Sequence, residues 1–395
     1  MRGFFAHGAL GAGNEQGVSR FAGWLRGIGE PALPDLTILR FYQAPGFPSR
    51  FGWIFVVEPD RLPLFMERFQ KLALAALISV LLLLFVGAIV RATGSGLGCP
   101  DWPTCWGSLV PPTKVGQIDF EKIDLEKFRR QAVRHGRDPG TITRESLRDE
   151  FNPVHTWVEY VNRLCSLPVG FLTLALCIVA FRLRRRWSAA WWGSLAALLL
   201  VLVNADLGRR VVMSGLKPGI ITLHMALAIL LVCVLVFVIW RGCATPWRRP
   251  SFGPRAQLLW YVGLGVFVLT VAEGVMGAQV RELTDEFAKT YGSGSRSDWS
   301  AKLEESMVYL VHRSFSWLIV IGALAMLGLS RKTIKGGLAW PEKSIGVLVG
   351  AMLCMGLILS QVGVLPVVQV LHVGAAALLV TVLFFWLLAT RPAST

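Results

Sequence analysis

The sequence predicts an all-α polytopic membrane protein whose eight transmembrane helices form two pseudo-symmetric four-helix bundles. Three observations support this fold class: the hydrophobic composition, eight long apolar segments and an internal repeat. Of the 395 residues, 54% are hydrophobic and only 16% are charged, whereas soluble domains are about 25% charged. The mean hydropathy is +0.54. Such a composition is expected of a chain that folds within a lipid bilayer.

Eight apolar runs are long enough to cross a bilayer, which requires about 18 residues or more in a helix. Only helices or closed barrels satisfy the backbone hydrogen bonds in lipid, and runs of this length indicate helices. The runs lie at about 70–90, 157–181, 188–206, 219–240, 257–280, 307–329, 344–361 and 367–389.

The net charge of +15 is distributed unevenly among the loops. Basic residues concentrate in alternate short loops, as in FRLRRRW at 181–187. The positive-inside rule places these loops in the cytoplasm, together with both termini. The loops at 92–152 and 281–306 then lie outside. We therefore predict a multi-pass protein of a bacterial-type plasma (inner) membrane, and this placement of charge argues against nucleic acid binding.

Residues 1–65 do not fit the membrane pattern. They are rich in Gly and Pro and contain no apolar run of spanning length. The clear apolar centre and cleavage site of a signal peptide are also missing from them, whereas Met66 would begin a natural first span. We expect this segment to be a disordered extension or the product of a misplaced start codon.

An internal repeat divides the remaining chain into bundles at 66–245, with the long outer loop 92–152, and at 246–395. Each repeat holds four helices, so both halves have the same orientation about an axis along the membrane normal. Three pairs of segments correspond: GLKPGIITLHMALA (215–228) with GVLPVVQVLHVGAA (363–376), GAIVR (87–91) with GAQVR (277–281), and YVNRLCS (160–166) with YLVHRSFS (309–316).

Histidines within the spans are candidate metal ligands, because ionisable side chains in lipid are costly and by default suggest a function. For a single histidine, an interhelical hydrogen bond is the simpler alternative. His312 and His372, however, lie near the same ends of two helices in one bundle. Two neutral imidazoles placed in this way suit the two axial positions of a haem. Zinc would normally need four ligands, and no cysteine or carboxylate cluster completes such a set.

The first half of the chain offers a different ligand set. His224 is the repeat equivalent of His372, but Asn162 stands at the position of His312, and an amide is a poor ligand for iron. His155 lies two helical turns earlier, about 10 Å along the axis. It could replace the missing ligand only if a porphyrin moved outward or the helix began irregularly.

Glu159 lies one turn before Asn162 on the same helix face, and its counterpart in the second half is Tyr309. The carboxylate either pairs with Arg163 at i,i+4 or accepts a proton beside a bound substrate, and these roles are compatible. Four arginines stand near outer helix ends, where they either snorkel to the interface or pair with the carboxylates of an anionic ligand. They are Arg91, Arg163, Arg281 and Arg313.

GCPDWPTC at 98–105 places two cysteines in the predicted outer loop. Disulfides persist in an oxidising compartment, and a zinc pair would lack further ligands, so we predict a Cys99–Cys105 disulfide. The repeat has no second copy of this pair, so it lies over the first half alone. A plain loop clasp, a device that orders a lid, and a redox role all remain open.

These motifs in combination resemble the haem A synthases of the Cox15/CtaA family over about 66–390. The resemblance implies an oxidoreductase that converts the C8 methyl of haem O to a formyl group by successive hydroxylations, for terminal oxidase assembly. It implies a haem b cofactor on His312 and His372, a substrate haem on His224, and Glu159 as the catalytic residue. Haem propionates are then the expected partners of the arginines.

One departure from the family is Asn162, which replaces the usual first ligand histidine in a matching E-x-x-x-R frame. Either the chain binds its substrate through one histidine, or it has lost or changed the reaction. The presence of Glu159, Arg163 and His224 favours the first of these interpretations.

The expected partners are haem O, haem O synthase, an unidentified electron-transfer partner and the lipid bilayer, with no nucleic acid; homo-oligomerisation stays open. The alternative function is a membrane b-type haem electron-transfer protein without haem-modifying activity. A transporter built on parallel repeats is disfavoured, because the sequence shows no helix broken near the midplane.

Overall fold

The computed structural model describes residues 39–43, 53–57, 62–134, 138–185, 187–243, 246–249, 253–291, 300–334 and 336–392. The chain divides into two compact units, Met1–Phe65 and Met66–Thr395. In the first unit, strands β1 (Leu39–Gln43) and β2 (Trp53–Val57) pair antiparallel, with Phe41 opposite Phe55. The rest of 1–61 lies outside the described residues, so the expectation of a disordered or mistranslated extension stays a prediction.

The second unit contains eight helices that are long and apolar enough to cross a membrane. In chain order, the described helices are α1 (Leu62–Ala92), α2 (Leu125–Arg134), α3 (Arg144–Glu150), α4 (Pro153–Leu183), α5 (Ser188–Met213), α6 (Ile220–Arg241), α7 (Ala256–Tyr291), α8 (Ser300–Glu305), α9 (Met307–Thr333), α10 (Trp340–Gln361) and α11 (Pro366–Thr390). Helices α2, α3 and α8 are short; the other eight are the spans. The predicted all-α polytopic class is therefore confirmed.

The spanning helices pack within each half and across the halves. Helix α5 contacts both α4 and α6, while α9 contacts α7 and α10. Helix α11 packs against α10, and it also packs against α6 and α7. Helices α7 and α11 of the second half both contact α6 of the first half, so the two halves pack into one compact unit. The division into two pseudo-symmetric bundles therefore stays a prediction, as does the orientation of the termini.

Local sequence signals determine where α4 and α11 begin. Asn152 caps α4, since its Oδ1 accepts hydrogen bonds from the backbone N–H groups of Val154 (3.0 Å) and His155 (3.2 Å). Pro153 occupies the first turn of α4, where its missing N–H costs nothing. Pro366 begins α11 in the same way. These starts set the helical phase of the candidate ligands that follow.

The sequence placed 281–306 in an outer loop, but the structure continues α7 as far as Tyr291. Charged residues pair within this extension: Nη2 of Arg281 lies 2.9 Å from Oδ1 of Asp285, four residues later. Such i,i+4 pairs stabilise a helix that emerges from an apolar segment. The end of α7 therefore brings charged side chains to the cavity described below.

The predicted outer loop between α1 and α4 is itself a small folded layer. Helices α2 and α3 enclose a core of ten buried residues, Cys99, Cys105, Trp106, Ile118, Phe120, Ile123, Phe128, Ala132, Ile142 and Leu147. The ring of Trp106 packs edge-on against Phe151 at 5.3 Å. Its Nε1 donates to the carbonyl of Gly98 (2.9 Å) and to Oγ1 of Thr156 (3.1 Å). This layer is therefore fastened to the first turn of α4.

At the opposite end of the spanning helices, Glu342 holds three elements together. Its fully buried carboxylate accepts hydrogen bonds from Arg249 (2.7 Å), from Nε1 of Trp386 (3.0 Å) and from the backbone of Ala339 (2.9 Å). A buried charge is tolerable when it is paired and hydrogen-bonded in this way. We interpret this network as structural, because it lies at the far ends of α10 and α11 from the candidate ligands.

Candidate functional site

A cavity of about 2330 Å³ lies among the spanning helices and reaches the loop between α1 and α4. Ordinary ligand pockets measure roughly 300–1,000 Å³, so this one has room for more than one large ligand. Its wall includes nine of the candidate side chains: Arg91, Glu159, Asn162, Arg163, His224, Arg281, His312, Arg313 and His372. The structure thus brings together residues that are widely separated in the sequence.

Each of the four candidate ligand positions lies against a glycine on the preceding spanning helix. A Cβ atom added to Gly87 would lie 3.9 Å from Oδ1 of Asn162. A Cβ atom added to the other three glycines would lie close to Cε1 of the facing histidine: 3.5 Å for Gly208 and His224, 3.4 Å for Gly277 and His312, and 3.8 Å for Gly356 and His372. Glycine therefore leaves a methyl-sized gap beside each side chain. This arrangement agrees with the sequence repeat at all four positions.

The ligand positions also present buried polar atoms without hydrogen-bond partners. Among the described residues, these include Nδ1 of His372 and Oδ1 of Asn162. By contrast, Nδ1 of His312 contacts Oε2 of Glu273, and His224 lies beside the main chain of Asn204. Buried polar atoms in folded proteins normally have a partner. Among the described residues, no group of three or more His, Cys, Asp or Glu side chains could hold a bare metal ion. Two imidazoles from different helices are instead suited to a haem iron, because the porphyrin supplies the iron's other four nitrogen ligands.

Glu159 is 3% exposed and is held from two sides. The backbone N–H of Cys99 donates to Oε2 at 2.7 Å, and Nη2 of Arg163 donates to Oε1 at 2.5 Å. The predicted i,i+4 pair is thus present, and the same carboxylate lines the cavity. The two roles expected for Glu159 are compatible in this geometry.

Arg163 is bound mainly to the loop that contains the cysteines. Its Nη1 donates to the carbonyls of Asp101 (2.9 Å) and Thr104 (3.1 Å), and its Nη2 donates to the carbonyl of Cys99 (2.9 Å) as well as to Glu159. These bonds occupy the four donors on the two terminal nitrogens. A propionate could contact these nitrogens only by displacing the loop, so the geometry favours a clamp over the predicted propionate partner.

The disulfide between Cys99 and Cys105 is present, with their Cα atoms 4.7 Å apart, which confirms the prediction. The carboxylate of Asp101 closes the same loop, because it accepts from the backbone N–H groups of Trp106 (2.6 Å) and Gly107 (3.0 Å) and from the hydroxyl of Thr104. Loop residues Leu97, Trp102 and Pro103 line the cavity. The disulfide loop therefore forms part of the wall over the first half.

Arg91 and Arg281, the equivalent arginines of the two halves, meet at one carboxylate. Nη2 of Arg91 lies 2.8 Å from Oδ2 of Asp285, and Nη2 of Arg281 lies 2.9 Å from Oδ1. Arg281 also donates to the carbonyl of Arg91 at 2.9 Å. The Nε atoms of both arginines are buried and have no hydrogen-bond partner among the residues that the structure describes. Arg313 is exposed, with Cζ 6.0 Å from the ring centroid of Tyr309.

Sequence reasoning missed three residues of this cavity. Asp285 was assigned to a loop. Glu273 on α7 is 6% exposed, and its Oε2 contacts Nδ1 of His312. Asn204 on α5 is also buried, with Nδ2 donating to the carbonyl of Leu200 (2.9 Å) and Oδ1 without a partner. A single acid within the apolar run LTVAEGVMG was a usable signal for Glu273, because ionisable residues in spans are candidates for function.

His155 is not part of the cavity wall. It stands at the start of α4, where a Cβ atom on Gly98 would lie only 2.2 Å from its carbonyl oxygen. This close approach fastens the disulfide loop to α4. The structure therefore gives no support to His155 as a substitute for the missing ligand at Asn162.

The chain is similar to known proteins of one family. The COX15-CtaA family model, described as cytochrome oxidase assembly protein, matches residues 70–384. A haem A synthase of Rhizorhabdus wittichii is 26% identical over 325 residues, which are 78% of this chain and 90% of that protein. Those of Sphingopyxis alaskensis and Nitrosomonas eutropha are 26% identical over 329 residues (78% and 88%) and 24% identical over 262 residues (61% and 70%).

The family match covers nearly the whole of the second compact unit, including every candidate side chain and the disulfide. The eight apolar helices make the protein a multi-pass membrane protein. The resemblance noted in the sequence is confirmed: the chain belongs to the COX15-CtaA family of cytochrome oxidase assembly proteins.

Proposed function

We propose that this protein is a haem A synthase, an oxidoreductase that converts the C8 methyl of haem O to a formyl group by successive hydroxylations, for terminal oxidase assembly. The relatives that bear this name support a role in haem A biosynthesis. The observation that carries the proposal is the buried Glu159, fixed by Cys99 and Arg163 in the wall of a cavity large enough for two tetrapyrroles.

The two halves of the cavity suit different occupants. His312 and His372 offer two imidazoles from facing helices, which suits a permanently bound cofactor haem b. When bound, haem b supplies one-electron redox chemistry. In the first half, His224 faces an amide at Asn162, so a substrate there would be held by one protein ligand. A single ligand suits a haem that must enter as haem O and leave as haem A.

The proposed role of Glu159 is that of proton acceptor during hydroxylation of the methyl group, and its place in the cavity wall supports this role. Conversion of a methyl to a formyl group adds one oxygen atom, which water can supply, and releases protons and electrons from the carbon and the water. A water molecule, a base and an electron acceptor are therefore all needed. The hydrogen bonds from Cys99 and Arg163 hold the carboxylate in one place. A fixed and largely dehydrated carboxylate can take up a proton with little reorganisation of its surroundings.

Arg91 and Arg281 are the proposed partners of the haem propionates, because the N–H groups of their buried Nε atoms make no hydrogen bond within the described residues. Asp285 holds both guanidinium groups in place between the two halves. Haem O synthase, as the source of substrate, and a separate electron-transfer protein are the proposed partners in the membrane.

Haem extraction tests this function directly. The full chain is expressed in a bacterial host that makes haem O and lacks its own haem A synthase, and extracted haems are separated by chromatography. We expect haem A with the unaltered protein, and haem O with retained haem b for Glu159→Gln. Glu282→Gln is the matched control, since Glu282 lines the cavity and accepts hydrogen bonds from Thr222 (3.0 Å) and Gly219 (3.4 Å). Absence of haem A in the host that expresses the unaltered protein would contradict the proposal.

Asn162 favours one second candidate, a b-type electron-transfer protein without haem-modifying activity. Loss of a ligand from the first half would leave a single cofactor haem on His312 and His372. This candidate predicts a haem b spectrum with no haem A, and it predicts that Glu159→Gln has no effect. The same extraction experiment therefore separates the two functions.

A further inference from the structure

Glu273 is a buried carboxylate in direct contact with a candidate haem ligand. It lies on α7, one turn before Gly277, the glycine beneath the ring of His312. Its side chain is 7% exposed, and Oε2 contacts Nδ1 of His312. Within the part of the chain that the structure describes, neither carboxylate oxygen has a further hydrogen-bond partner. His312 is thus the polar contact of this carboxylate.

The contact determines which ring nitrogen of His312 is available to a metal. With Nδ1 against Glu273, Nε2 is the ring nitrogen left for a metal. Cε1 and Nε2 lie 3.4 and 3.9 Å from a Cβ added to Gly277. Histidines that bind metals usually donate their second ring N–H to a carboxylate, a carbonyl or water. Such a bond fixes the tautomer and increases the basicity of the ligand.

The repeat shows that this carboxylate serves one ligand position only. The residue equivalent to Glu273 in the first half is Leu83, which lines the same cavity but is apolar. Nδ1 of His372 has no hydrogen-bond partner within the described part of the chain, and His224 lies beside the main chain of Asn204. A carboxylate buried in an apolar helix is costly, which favours a functional reason for the presence of Glu273.

We propose that Glu273 is a positioning residue for the cofactor haem: it accepts the Nδ1–H of His312, holds the ring over Gly277 and lowers the reduction potential of the haem iron. The negative charge behind the imidazole stabilises the ferric state, which carries more positive charge than the ferrous state. This inference rests on the proposed function, since it requires a haem on His312 and His372.

The test compares Glu273→Gln, Glu273→Leu and a matched control in the purified full-length protein. Glu273→Leu introduces the residue of the first half. The control is Thr270→Val, because Thr270 is buried on the same wall of the cavity, one turn away. Its hydroxyl donates to the carbonyl of Val266 on its own helix (2.8 Å). The readouts are the haem b reduction potential and carbon monoxide binding to the reduced haem.

We expect Glu273→Leu to shift the ferrous-to-ferric ratio at least tenfold toward ferrous, about 59 mV for a one-electron couple, and to admit carbon monoxide. Glu273→Gln should shift the ratio less, and Thr270→Val should match the unaltered protein. Loss of haem b from the Glu273 variants alone also supports positioning. An unchanged potential with carbon monoxide still excluded would overturn the inference, as would equal haem loss in the control. Absence of any two-histidine haem from the unaltered protein would instead refute the proposed function.

Discussion

The backbone N–H of Cys99 donates a 2.7 Å hydrogen bond to Oε2 of Glu159. One end of the disulfide is therefore joined directly to the proposed catalytic carboxylate, sixty positions later in the chain. Arg163 completes the connection, because it donates both to Glu159 and to the carbonyl of Cys99. The loop, the carboxylate and the arginine form one unit in the wall of the first half.

Replacing both cysteines should disturb Glu159 as well as the loop. For Cys99→Ser with Cys105→Ser we expect lower haem A yield and a stability loss of about 2–5 kcal/mol, typical of removing a native disulfide from a small domain. The yield falls because the Cys99 N–H no longer lies in a fixed position. Haem extraction measures the yield, and thermal unfolding of the detergent-solubilised protein measures stability.

A mild reductant applied to the unaltered protein provides the control for this substitution. It should reproduce the reduced yield without altering the sequence. Unchanged haem A yield in the double serine variant would leave the disulfide with a structural role alone and would remove the link to Glu159.

Much of the membrane architecture was accessible from the sequence, because span length and hydropathy are properties of continuous segments. The repeat then located His224, His312, His372 and Asn162. The repeat could not identify Glu273, because the equivalent residue in the first half is Leu83.

Two features required three-dimensional information. Asp285 lies in a charged stretch that resembles a loop in the sequence, but α7 continues through it and an i,i+4 ion pair with Arg281 supports the helix there. The layer between α1 and α4 is built from ten buried residues scattered over 99–147, with no periodic run that predicts their association. The clamp formed by Arg163 depends on this layer, so the sequence could offer only a propionate or snorkelling role.

Asn162→His should restore a second imidazole to the first half of the cavity. Oδ1 of Asn162 is buried without a partner, and Gly87 leaves space beside it as Gly277 does beside His312. We expect a six-coordinate, low-spin substrate haem, more haem retained after purification, and slower turnover to haem A. Optical spectra and haem content measure the first two effects.

Asn162→Leu is the matched variant for this change, since it fills similar space without a ligand. It should leave the first-half haem with one protein ligand. A spectrum of Asn162→His identical to that of Asn162→Leu would contradict the assignment of position 162 to the iron.

Removing Arg281 should weaken haem retention more than removing Arg210. Arg281 is paired to Asp285 in the cavity wall, whereas Arg210 pairs with Asp206 at 2.6 Å in an exposed position. Exposed ion pairs contribute about 0–1 kcal/mol, so Arg210→Ala should be nearly silent. We expect Arg281→Ala to lose at least half of its haem, measured by pyridine haemochrome. Full retention would count against the proposed propionate role.

Two glycine substitutions should separate the stability of the helices from the ligand site. A Cβ on Gly263 would lie 2.2 Å from the ring of Trp386, so Gly263→Ala must displace a buried indole. Overpacking of this kind costs about 1–3 kcal/mol.

A Cβ on Gly277 would lie 3.4 Å from Cε1 of His312, an ordinary van der Waals contact. Gly277→Ala should therefore leave thermal stability of the haem-free protein unchanged while it weakens haem b binding, because the methyl group occupies space beside the ligand. Thermal unfolding and haem titration measure the two effects, and equal losses of stability in both variants would show that Gly277 serves packing alone.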